Sequence, residues 1–470
     1  MYIDKPAIFT DFYELTMAQG YFLSGVHQKQ ANFDYFFRKQ PFDGGYTVFA
    51  GLSDLLKTLE NYSFSKDELD FLKSKGFKKP FLDYLAGFRF KGIIYAAKEG
   101  ELTFPVLPVI RVEGTLLETQ VVETLILNII NFQSLIATKA ARMKVAAGGR
   151  TVLDFGLRRS QGLGGVHATR AAIIGGVDAT SNVYSAFKYD LPVSGTMAHS
   201  WVQAFTDELT AFREYARHNP DDTVLLVDTY DTLGSGVPNA IKVAKELEKS
   251  GHKLKAIRLD SGDLAYFSHQ SRKILNEAGL EYVKIAVSNQ LDEYLIFSLI
   301  TQKAPIDIFG VGTRLITAQD SPALDGVFKL SETDHKPTLK ISENIEKITL
   351  PGRKRILRYL NEDGTFYGDG IILADEPAPE RIYHPYFPAK KSYVGDLNHY
   401  ELLDKVFENG KIVNPVSEIK EITTYCAQQL KKLSPEYKRF DNPHIYKVGI
   451  SESLMNLRDD LLSTLKPDSL

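Results

Sequence analysis

The sequence predicts an α/β fold whose middle part is built of parallel βα units. Between residues 151 and 315, short apolar runs alternate with helical patterns, as such units require. The runs lie at residues 151–153, 223–227, 254–257, 282–287 and 306–309, and each is followed by polar residues or glycine. Because the loops after the strands of a parallel barrel share one face, the same pattern predicts where functional residues collect.

The size and charge of the chain limit the possible partners. A chain of 470 residues exceeds the length at which one hydrophobic core stops growing, so we expect more than one domain. A net charge of −3, from 56 basic and 59 acidic residues, gives no long-range field for nucleic acid or an anionic membrane. We expect neither as a partner, although a local basic pocket for a small anion is compatible with this composition.

Targeting and redox features point to a cytoplasmic protein. Cys426 is the only cysteine, which excludes an intrachain disulfide and a cysteine-rich metal site and predicts an inert thiol. Residues 1–6 lack the layout of a signal peptide, and no uninterrupted apolar run approaches the ~18 residues of a membrane span.

The residues before the βα units predict a mixed α+β domain. We expect a helix at residues 11–24, capped by Thr10 or Asp11, and another at 52–59. Strands are predicted at residues 31–37, 46–49, 92–97 and 106–112. Apolar residues at helical spacing over residues 117–144 predict one buried helix, or two joined near Asn131, whose polar members Thr138, Lys139 and Arg142 border the core or solvent.

After residue 329 the pattern changes to strands and then to helices. Strands are expected at residues 339–342, 355–359, 366 and 371–373, linker-like segments at 377–379 and 384–386, and charged helices over 416–465. The predicted domains are therefore a mixed N-terminal domain at 1–130 joined by strands from about 331–390, an α/β barrel at 131–330, and a helical extension at 391–470.

Polar residues at successive strand ends form the main argument for an enzyme. One aspartate after a strand is commonplace, because it also caps the next helix. Here several strand ends carry such residues, which should converge on one face: Asp154, Asp228, Asp260, Ser288 and Thr313. We also expect His199 at the mouth of this pocket, because residues 191–193 resemble the end of a buried strand that opens into a polar turn.

The residue types around these strand ends suit anionic ligands. Arginine forks grip carboxylates or phosphates, and glycine turns let backbone N–H groups approach phosphate oxygens. The candidates are Arg158, Arg159, Arg258, Gly162, Gly164, Gly165, Gly310 and Gly312. The aspartates Asp228, Asp231, Asp260 and Asp263 could instead position hydroxyls or a Mg²⁺ ion that shares phosphate ligands. The glycines match neither a dinucleotide fingerprint nor a Walker loop.

Motifs along nearly the whole chain resemble those of the nicotinate phosphoribosyltransferase family. They are TDFYELTMA (10–18), FRKQPF (37–42), NFQSLIATKAAR (131–142), FGLRR (155–159), GTMAHS (195–200), VDTYDT (227–232), RLDSGD (258–263) and GVGT (310–313). The resemblance implies a fold like that of type II phosphoribosyltransferases: an irregular α/β barrel with an N-terminal mixed domain and a C-terminal extension. It also implies a homodimer with its active site near the subunit interface.

The resemblance implies an activity as well. The expected reaction joins nicotinate to 5-phosphoribosyl 1-diphosphate, gives nicotinate mononucleotide and pyrophosphate with coupled ATP hydrolysis, and is the first step of NAD salvage from nicotinate. By similarity, Tyr13, Thr196, Arg258 and Arg158 contact nicotinate, whereas Asp260, Ser261, Ser288, Asn289, Gly312 and Thr313 contact sugar and phosphate. His199 matches a histidine that ATP phosphorylates and is expected to be catalytic together with Arg258 and Asp260. Mg²⁺ is expected through the substrate phosphates, with Asp228 or Asp260 as possible ligands.

Three alternative functions are weighed against this one. Nicotinamide phosphoribosyltransferase is the nearest alternative, but the cationic residues Arg158, Arg159 and Arg258 favour a carboxylate over an amide. Quinolinate phosphoribosyltransferase is expected to be shorter and to lack the His199 motif. A barrel that binds phosphorylated metabolites without turnover is disfavoured by the presence of both His199 and the segment 260–263.

Overall fold

The computed structural model describes residues 3–415 and 417–465. The chain divides into two compact units. The first holds the residues up to Thr138 together with those from Ala323 onward, and the second is Lys139–Pro322.

The first unit begins with helices and short strands that match most of the predicted pattern. The elements are α1 (Phe12–Leu23), β1 (Gln30–Phe37), β2 (Thr47–Val48), α2 (Leu52–Leu59), α3 (Lys66–Ser74), α4 (Lys79–Ala86), β3 (Ile93–Ala96), β4 (Leu102–Thr103), β5 (Ile110–Thr115), α5 (Leu116–Gln120) and α6 (Glu123–Ala146). The strand predicted at 106–112 begins only at Ile110. Val106 has a φ of +72°, outside the β region.

The apolar segment predicted as one or two helices breaks earlier than expected. The break separates α5 from α6 at residues 121–122, and Asn131 lies inside α6, where its side-chain oxygen accepts a hydrogen bond from the Tyr35 hydroxyl at 2.8 Å. The stretch Leu116–Ala146 is long and apolar enough to cross a membrane, with a mean hydropathy of 1.5 in its most apolar window, but 72% of that window is buried inside the protein. Such burial is typical of a core helix.

The second unit carries the βα repeats. Its elements are β6 (Thr151–Asp154), α7 (Gly164–Ile174), β7 (Ala179–Thr180), α8 (Val183–Tyr189), α9 (His199–Gln203), α10 (Glu208–His218), β8 (Val224–Leu226), α11 (Val237–Lys249), β9 (Ala256–Leu259), α12 (Leu264–Glu277), β10 (Lys284–Val287), α13 (Glu293–Thr301), β11 (Ile308–Val311) and α14 (Thr313–Ile316). The six strands pair in parallel in the order β7-β6-β11-β10-β9-β8. The predicted α/β fold is confirmed, in the form of a curled half-barrel sheet with β7 and β8 at its edges.

Alternation along these strands explains how the sheet builds a site. Leu153, Ala286 and Ile308 line a cavity on one face of the sheet. Successive side chains of a strand point to opposite faces, so the residue two positions further on returns to the same face. Those residues are Phe155, Ser288 and Gly310, and all three line the cavity at the carboxyl ends of the strands that is described below as the candidate active site.

The remaining chain completes the first unit with strands that the sequence did not predict fully. The elements are β12 (Gly326–Thr333), β13 (Lys336–Pro337), β14 (Lys354–Leu360), β15 (Phe366–Leu373), β16 (Arg381–Tyr383), β17 (Lys391–Tyr393), β18 (His399–Glu401), β19 (Asp404–Glu408), β20 (Lys411–Ile412), α15 (Ile419–Lys432), β21 (Val448–Ile450) and α16 (Glu452–Leu465). They form two sheets, in the orders β13-β12-β1-β5-β3-β19-β20 and β17-β16-β21-β15-β14-β18.

Two expectations for this part of the chain are corrected. Residues 339–342 form no strand, and the strand in this region is instead β12, which pairs antiparallel with β1. The region predicted as a helical extension, residues 391–470, contains α15 and α16 but also strands: β19 pairs with β3, and β21 pairs with β15. Residue 416, where we expected the helices to begin, lies outside the described residues.

Of the two places expected for the polar residues Thr138, Lys139 and Arg142 of α6, the core and the solvent, the structure shows the core. Lys139 and Arg142 are buried and contact the two carboxylate oxygens of Glu293, at 2.9 and 2.8 Å. A buried charge is tolerated only when it is paired in this way. Thr138 accepts a hydrogen bond from the Val48 backbone N–H at 2.9 Å. These three residues are therefore structural.

Candidate active site

A cavity of about 340 Å³ lies at the carboxyl ends of the strands in the second unit. It brings together eleven of the residues that the sequence and the family resemblance singled out: His199, Arg258, Asp260, Arg158, Arg159, Thr196, Ser288, Asn289, Gly310, Gly312 and Thr313. Phe155 and Gln290 also line it. Parallel strands with polar ends thus converge as the repeats predicted.

His199 is the first residue of α9, and its two ring nitrogens have different partners. Nδ1 lies 3.1 Å from the hydroxyl oxygen of Thr229, whereas Nε2 lies 3.8 Å from Oδ2 of Asp260. The side chain is 41% exposed. The expected strand at residues 191–193 is only an isolated bridge between Val193 and Thr180, but His199 does line the cavity.

Asp260 is fixed from two sides. Oδ1 accepts a hydrogen bond from the Ser288 hydroxyl, and the backbone N–H of Asp260 donates to Oδ2 of Asp228 at 2.8 Å. The carboxylate of Asp228 also accepts from the Ser261 hydroxyl at 2.6 Å. Asp228 therefore holds the loop that carries Asp260 and Ser261, and Ser261 does not line the cavity.

Arg258 supplies a partly desolvated positive charge. It donates a hydrogen bond to the Thr196 hydroxyl, and its Nε is buried without a hydrogen-bond partner among the described residues. Burial lowers the pKa of its guanidinium and Arg158 adds to that effect, while Asp260 and Asp228 offset part of it. A buried donor without a partner marks a place where a ligand oxygen would be stabilised.

Close packing shapes the floor of the cavity. A Cβ atom on Gly310 would lie 2.5 Å from Cε2 of Phe155, so only glycine lets this ring lie against β11. After β10, Asn289 and Gln290 both have positive φ values, of 89° and 48°. Non-glycine residues rarely adopt that conformation, and such strain clusters at functional sites.

Some strand-end aspartates serve the fold instead of the cavity. Asp154 is buried and accepts hydrogen bonds from the Gly156 backbone and from the hydroxyls of Thr169 and Thr180, each at 2.8 Å. Burial raises the pKa of its carboxyl, and these hydrogen bonds lower it in part. Asp231 and Asp263 cap the helical segments that follow them. For Asp231 and Asp263 the capping explanation is correct.

Sequence reasoning missed Thr229 and a second, smaller cavity. The second cavity, of about 220 Å³, lies on the same face of the sheet and shares Phe155, Thr196 and Arg258 with the first. Tyr215, Asn219, Asp222 and Lys255 line it as well. No sequence signal singled out these residues, and Thr229 was visible only as an unassigned member of the segment 227–232.

Tyr13, a predicted nicotinate contact, is not among the residues that line the 340 Å³ cavity. Tyr13 belongs to α1 of the first unit, where it is 46% exposed. Burial and the charge of Glu123 raise the pKa of its hydroxyl.

Across residues 3–415 and 417–465, no three or more His, Cys, Asp or Glu side chains are grouped so as to hold a metal ion. Cys426 is a buried free thiol in this part of the chain, and burial raises its pKa to about 12.

Comparisons with known proteins agree on one family. The N-terminal and C-terminal domain models of nicotinate phosphoribosyltransferase match residues 8–131 and 353–458. The nicotinate phosphoribosyltransferase of Bacillus subtilis (strain 168) is 46% identical over 462 residues, with 96% of this chain and 94% of the relative covered. The Dictyostelium discoideum enzyme of the same name is 37% identical, with 97% and 88% covered.

Solved structures lead to the same result. The chain is similar to the crystal structure of human nicotinic acid phosphoribosyltransferase, with a TM-score of 0.85, 31% identity, and coverage of 96% of this chain and 99% of that one. It also resembles a nicotinate-nucleotide pyrophosphorylase from Pyrococcus furiosus, with a TM-score of 0.73, 27% identity, and coverage of 92% and 98%. The chain belongs to the nicotinate phosphoribosyltransferase family.

Proposed function

We propose that the 340 Å³ cavity is the active site of a nicotinate phosphoribosyltransferase, which joins nicotinate to 5-phosphoribosyl 1-diphosphate in the salvage of NAD. The observation that carries this assignment is the convergence of Arg258, Asp260 and His199 in one cavity of a chain from this family. Tyr13 is proposed, by family resemblance, as a further nicotinate contact.

The charge of the cavity favours nicotinate, which carries a carboxylate, over nicotinamide, which carries an amide. Among its described lining residues are Arg158, Arg159 and Arg258 but a single carboxylate, that of Asp260. The unpartnered Nε of Arg258 and the neighbouring Thr196 hydroxyl suit a carboxylate oxygen, and the ring of Phe155 offers a flat surface for a pyridine. An amide would gain less from these cations, so nicotinamide is the poorer substrate.

The opposite side of the cavity suits the ribose and its phosphates. Ser288, Asn289, Gly312 and Thr313 lie at the ends of β10 and β11 and present hydroxyl, amide and backbone groups. Transfer at the ribose C1′ passes through a cation-like sugar, which the carboxylate of Asp260 would stabilise. The pyridine nitrogen then forms the new bond to C1′ as the bond to the pyrophosphate oxygen breaks.

The carboxylates fit a Mg²⁺ ion bound mainly by substrate phosphates. Oδ1 of Asp228, a residue that does not line the cavity, is buried without a hydrogen-bond partner among the described residues. Oδ2 of Asp260, which does line it, lies 3.8 Å from Nε2 of His199. Mg²⁺ typically takes one or two protein carboxylates and completes its shell with phosphate and water, so a larger protein cluster is not needed. When bound, the ion would neutralise charge on the leaving pyrophosphate.

ATP is proposed as a co-substrate that phosphorylates His199. A neutral imidazole nitrogen can attack a γ-phosphoryl group in line when its other nitrogen is held by a hydrogen bond, and Thr229 supplies such a partner. We further propose a homodimer, which light scattering of the purified protein would test.

The decisive experiment is a turnover assay with matched acceptors. Purified protein is given 5-phosphoribosyl 1-diphosphate and Mg²⁺ with nicotinate, nicotinamide or quinolinate, each with and without ATP. We expect nicotinate mononucleotide from nicotinate, and more of it with ATP. A lack of mononucleotide from every acceptor would refute the proposal, and preference for nicotinamide would refute the assignment of the acid.

Two variants test the named residues. His199→Ala should retain weak ATP-independent synthesis but lose the coupling of ATP hydrolysis to product, and an unchanged ratio of ADP to product would contradict the role of His199. Arg258→Gln removes a charge-assisted contact worth about 1.5–3 kcal/mol, so KM for nicotinate should rise roughly tenfold to a hundredfold. Its preference for nicotinate over nicotinamide should shrink by a similar factor.

A further inference from the structure

A partly buried ion pair connects two loops that carry proposed contacts to the ribose and its phosphates. They are the β10 loop, residues 288–292, and the β11 loop, residues 312–313. Oδ2 of Asp292, the last residue of the β10 loop, accepts a hydrogen bond from Nη1 of Arg314, which directly follows the β11 loop. The side chain of Asp292 is 6% exposed and that of Arg314 is 31% exposed. Neither residue lines the 340 Å³ cavity, so an effect on a ligand there would be indirect.

The β10 loop has a backbone conformation that needs support. Asn289 and Gln290 both have positive φ values, and non-glycine residues keep such values only where the surrounding structure holds them. Leu291, the next residue, is buried. The loop begins at Ser288, whose backbone N–H donates to a carbonyl of β9 at 2.9 Å, and it ends at Asp292. An attachment at each end therefore holds the three residues between them in this shape.

Asp292 is a firm attachment because it also caps α13. Its Oδ1 accepts a hydrogen bond from the Leu295 backbone N–H at 2.8 Å, while its Oδ2 accepts from Arg314. The next residue, Glu293, is paired with two buried cations of α6. The first turn of α13 is thus attached to α6 through one carboxylate and to α14 through the other.

The β11 loop leads into a helix that is too short to be stable on its own. α14 has four residues, and Gly312 before it provides no side-chain cap. Arg314 follows Thr313 directly, so the bond from its guanidinium to Asp292 restricts the movement of the whole turn. The Gly312 backbone and the Thr313 side chain, which line the cavity, belong to that turn.

From these contacts we infer that Arg314 and Asp292 are positioning residues, which hold the β10 and β11 loops in the arrangement that binds 5-phosphoribosyl 1-diphosphate. The inference rests on the proposed function. The sugar diphosphate would contact both loops at once, whereas nicotinate is proposed to bind on the side of Phe155 and Arg258. Loss of the pair should therefore weaken the binding of the sugar diphosphate and spare that of nicotinate.

The size of the effect depends on how many molecules keep the binding arrangement without the pair. An apparent dissociation constant rises by the inverse of that fraction, so a fraction of about one tenth raises it about tenfold. The value of kcat at saturating substrate should change less, because bound substrate selects the molecules that have the correct arrangement.

Two single variants and their combination test the pair. Asp292→Asn removes the charge but keeps the cap of α13, because asparagine caps helices about as well as aspartate. Arg314→Gln removes the guanidinium. We expect each to raise KM for 5-phosphoribosyl 1-diphosphate about fivefold to twentyfold, with KM for nicotinate within about twofold of wild type. Because both changes remove the same bond, the double variant should be no worse than either single variant.

Arg213→Gln is the matched control, because it breaks another ion pair of the second unit. Arg213 of α10 lies 2.6 Å from a carboxylate oxygen of Glu246 of α11, and neither residue lines the cavity. We expect both KM values of this variant to match those of wild type. Arg314→Lys keeps the positive charge and should recover part of the lost affinity. Thermal unfolding shows whether each variant is folded.

Three results would overturn the inference while leaving the transferase activity in place. The first is an unchanged KM for 5-phosphoribosyl 1-diphosphate in both single variants. The second is an equal rise of both KM values, or failure of both single variants to fold, because the pair would then support the unit in general. The third is a larger effect of Arg314→Gln than of Asp292→Asn, with additive effects in the double variant, because Arg314 would then contact the phosphates itself.

A binding measurement separates this inference from the proposed function. Titration calorimetry with 5-phosphoribosyl 1-diphosphate and Mg²⁺ needs no turnover and should show the same loss of affinity in Asp292→Asn and Arg314→Gln. A wild-type protein that binds the sugar diphosphate but makes no mononucleotide would refute the proposed function, and the variants would still decide the role of the pair. A wild-type protein that does not bind it would overturn both.

Discussion

Replacing Gly310 with alanine tests whether the packing of Phe155 sets the shape of the cavity. A Cβ atom at this position would lie 2.5 Å from Cε2 and 2.7 Å from Cδ2 of the Phe155 ring. Carbon atoms pack at about 3.5–4.0 Å, so the ring must retreat by roughly 1 Å. Overpacking of this kind costs about 1–3 kcal/mol, and it would move the surface on which we propose that nicotinate stacks.

Gly312→Ala is the matched control for stability, because Gly312 lines the same cavity two residues further on. Its nearest contact for a new Cβ is the Phe155 carbonyl oxygen at 3.4 Å, which is close to an ordinary contact. Thermal unfolding should therefore show a larger loss for Gly310→Ala than for Gly312→Ala, and KM for nicotinate should rise in Gly310→Ala.

A double-mutant cycle tests whether the clash with the Phe155 ring causes the loss of stability in Gly310→Ala. If the clash with the ring is responsible, Phe155→Leu should relieve part of the loss in Gly310→Ala, and the two changes should be non-additive by about 1 kcal/mol. Strict additivity, or a Gly310→Ala protein as stable as wild type, would refute the argument.

Two further predictions concern carboxylates. Asp228→Ala leaves the Asp260 N–H and the Ser261 hydroxyl without their acceptor, so kcat should fall at least tenfold. Asp231→Ala removes only a helix cap and should cost about 1 kcal/mol of stability with little change in kcat. Equal kcat values in both variants would argue against the role of Asp228 in positioning the loop that carries Asp260. Burial raises the pKa of Glu14 from 4.5 to about 7, so the folded state binds more protons than the unfolded state between these values, and stability falls as pH rises through this window. Relative to Glu14→Gln, the free energy of unfolding of wild type should fall by up to about 3 kcal/mol between pH 4.5 and 7, as measured by denaturant unfolding. A difference in unfolding free energy between the two proteins that stays constant over this pH range would contradict the prediction.

The sequence predicted the parallel sheet and the position of the site because both follow from local pattern. Apolar runs such as residues 223–227 and 306–309 are followed by polar residues or glycine, and parallel pairing brings these ends to one edge. The break between α5 and α6 and the strands β12, β19 and β21 were less accessible. Their partners are distant in sequence, for example β3 for β19, so nothing in the local pattern specifies the pairing.

The sequence did not predict which way each side chain of the site points. Thr229 and Asp228 are neighbours in sequence, yet one bonds the ring of His199 and the other the loop of Asp260. Alternation along an extended segment permits this division but does not identify the partners. Motif similarity pointed to the segment 227–232 without distinguishing a ligand contact from a support.

The strand-end aspartates show what separates support from chemistry. Asp154 accepts three hydrogen bonds from protein donors and is buried, so no lone pair of practical use remains for a ligand. Asp260 accepts one from Ser288 and keeps Oδ2 near Nε2 of His199, on a side chain that is 35% exposed. The same residue type after a strand therefore has opposite roles, and what decides the role is how many of its carboxylate oxygens already accept hydrogen bonds from the protein.

By this criterion Asp228 is intermediate between Asp154 and Asp260. One of its oxygens accepts two hydrogen bonds, and the other is buried without a partner among the described residues. We therefore expect the replacement of Asp228 to affect both the loop that carries Asp260 and the affinity for Mg²⁺ with bound diphosphate, whereas replacement of Asp154 should affect stability alone.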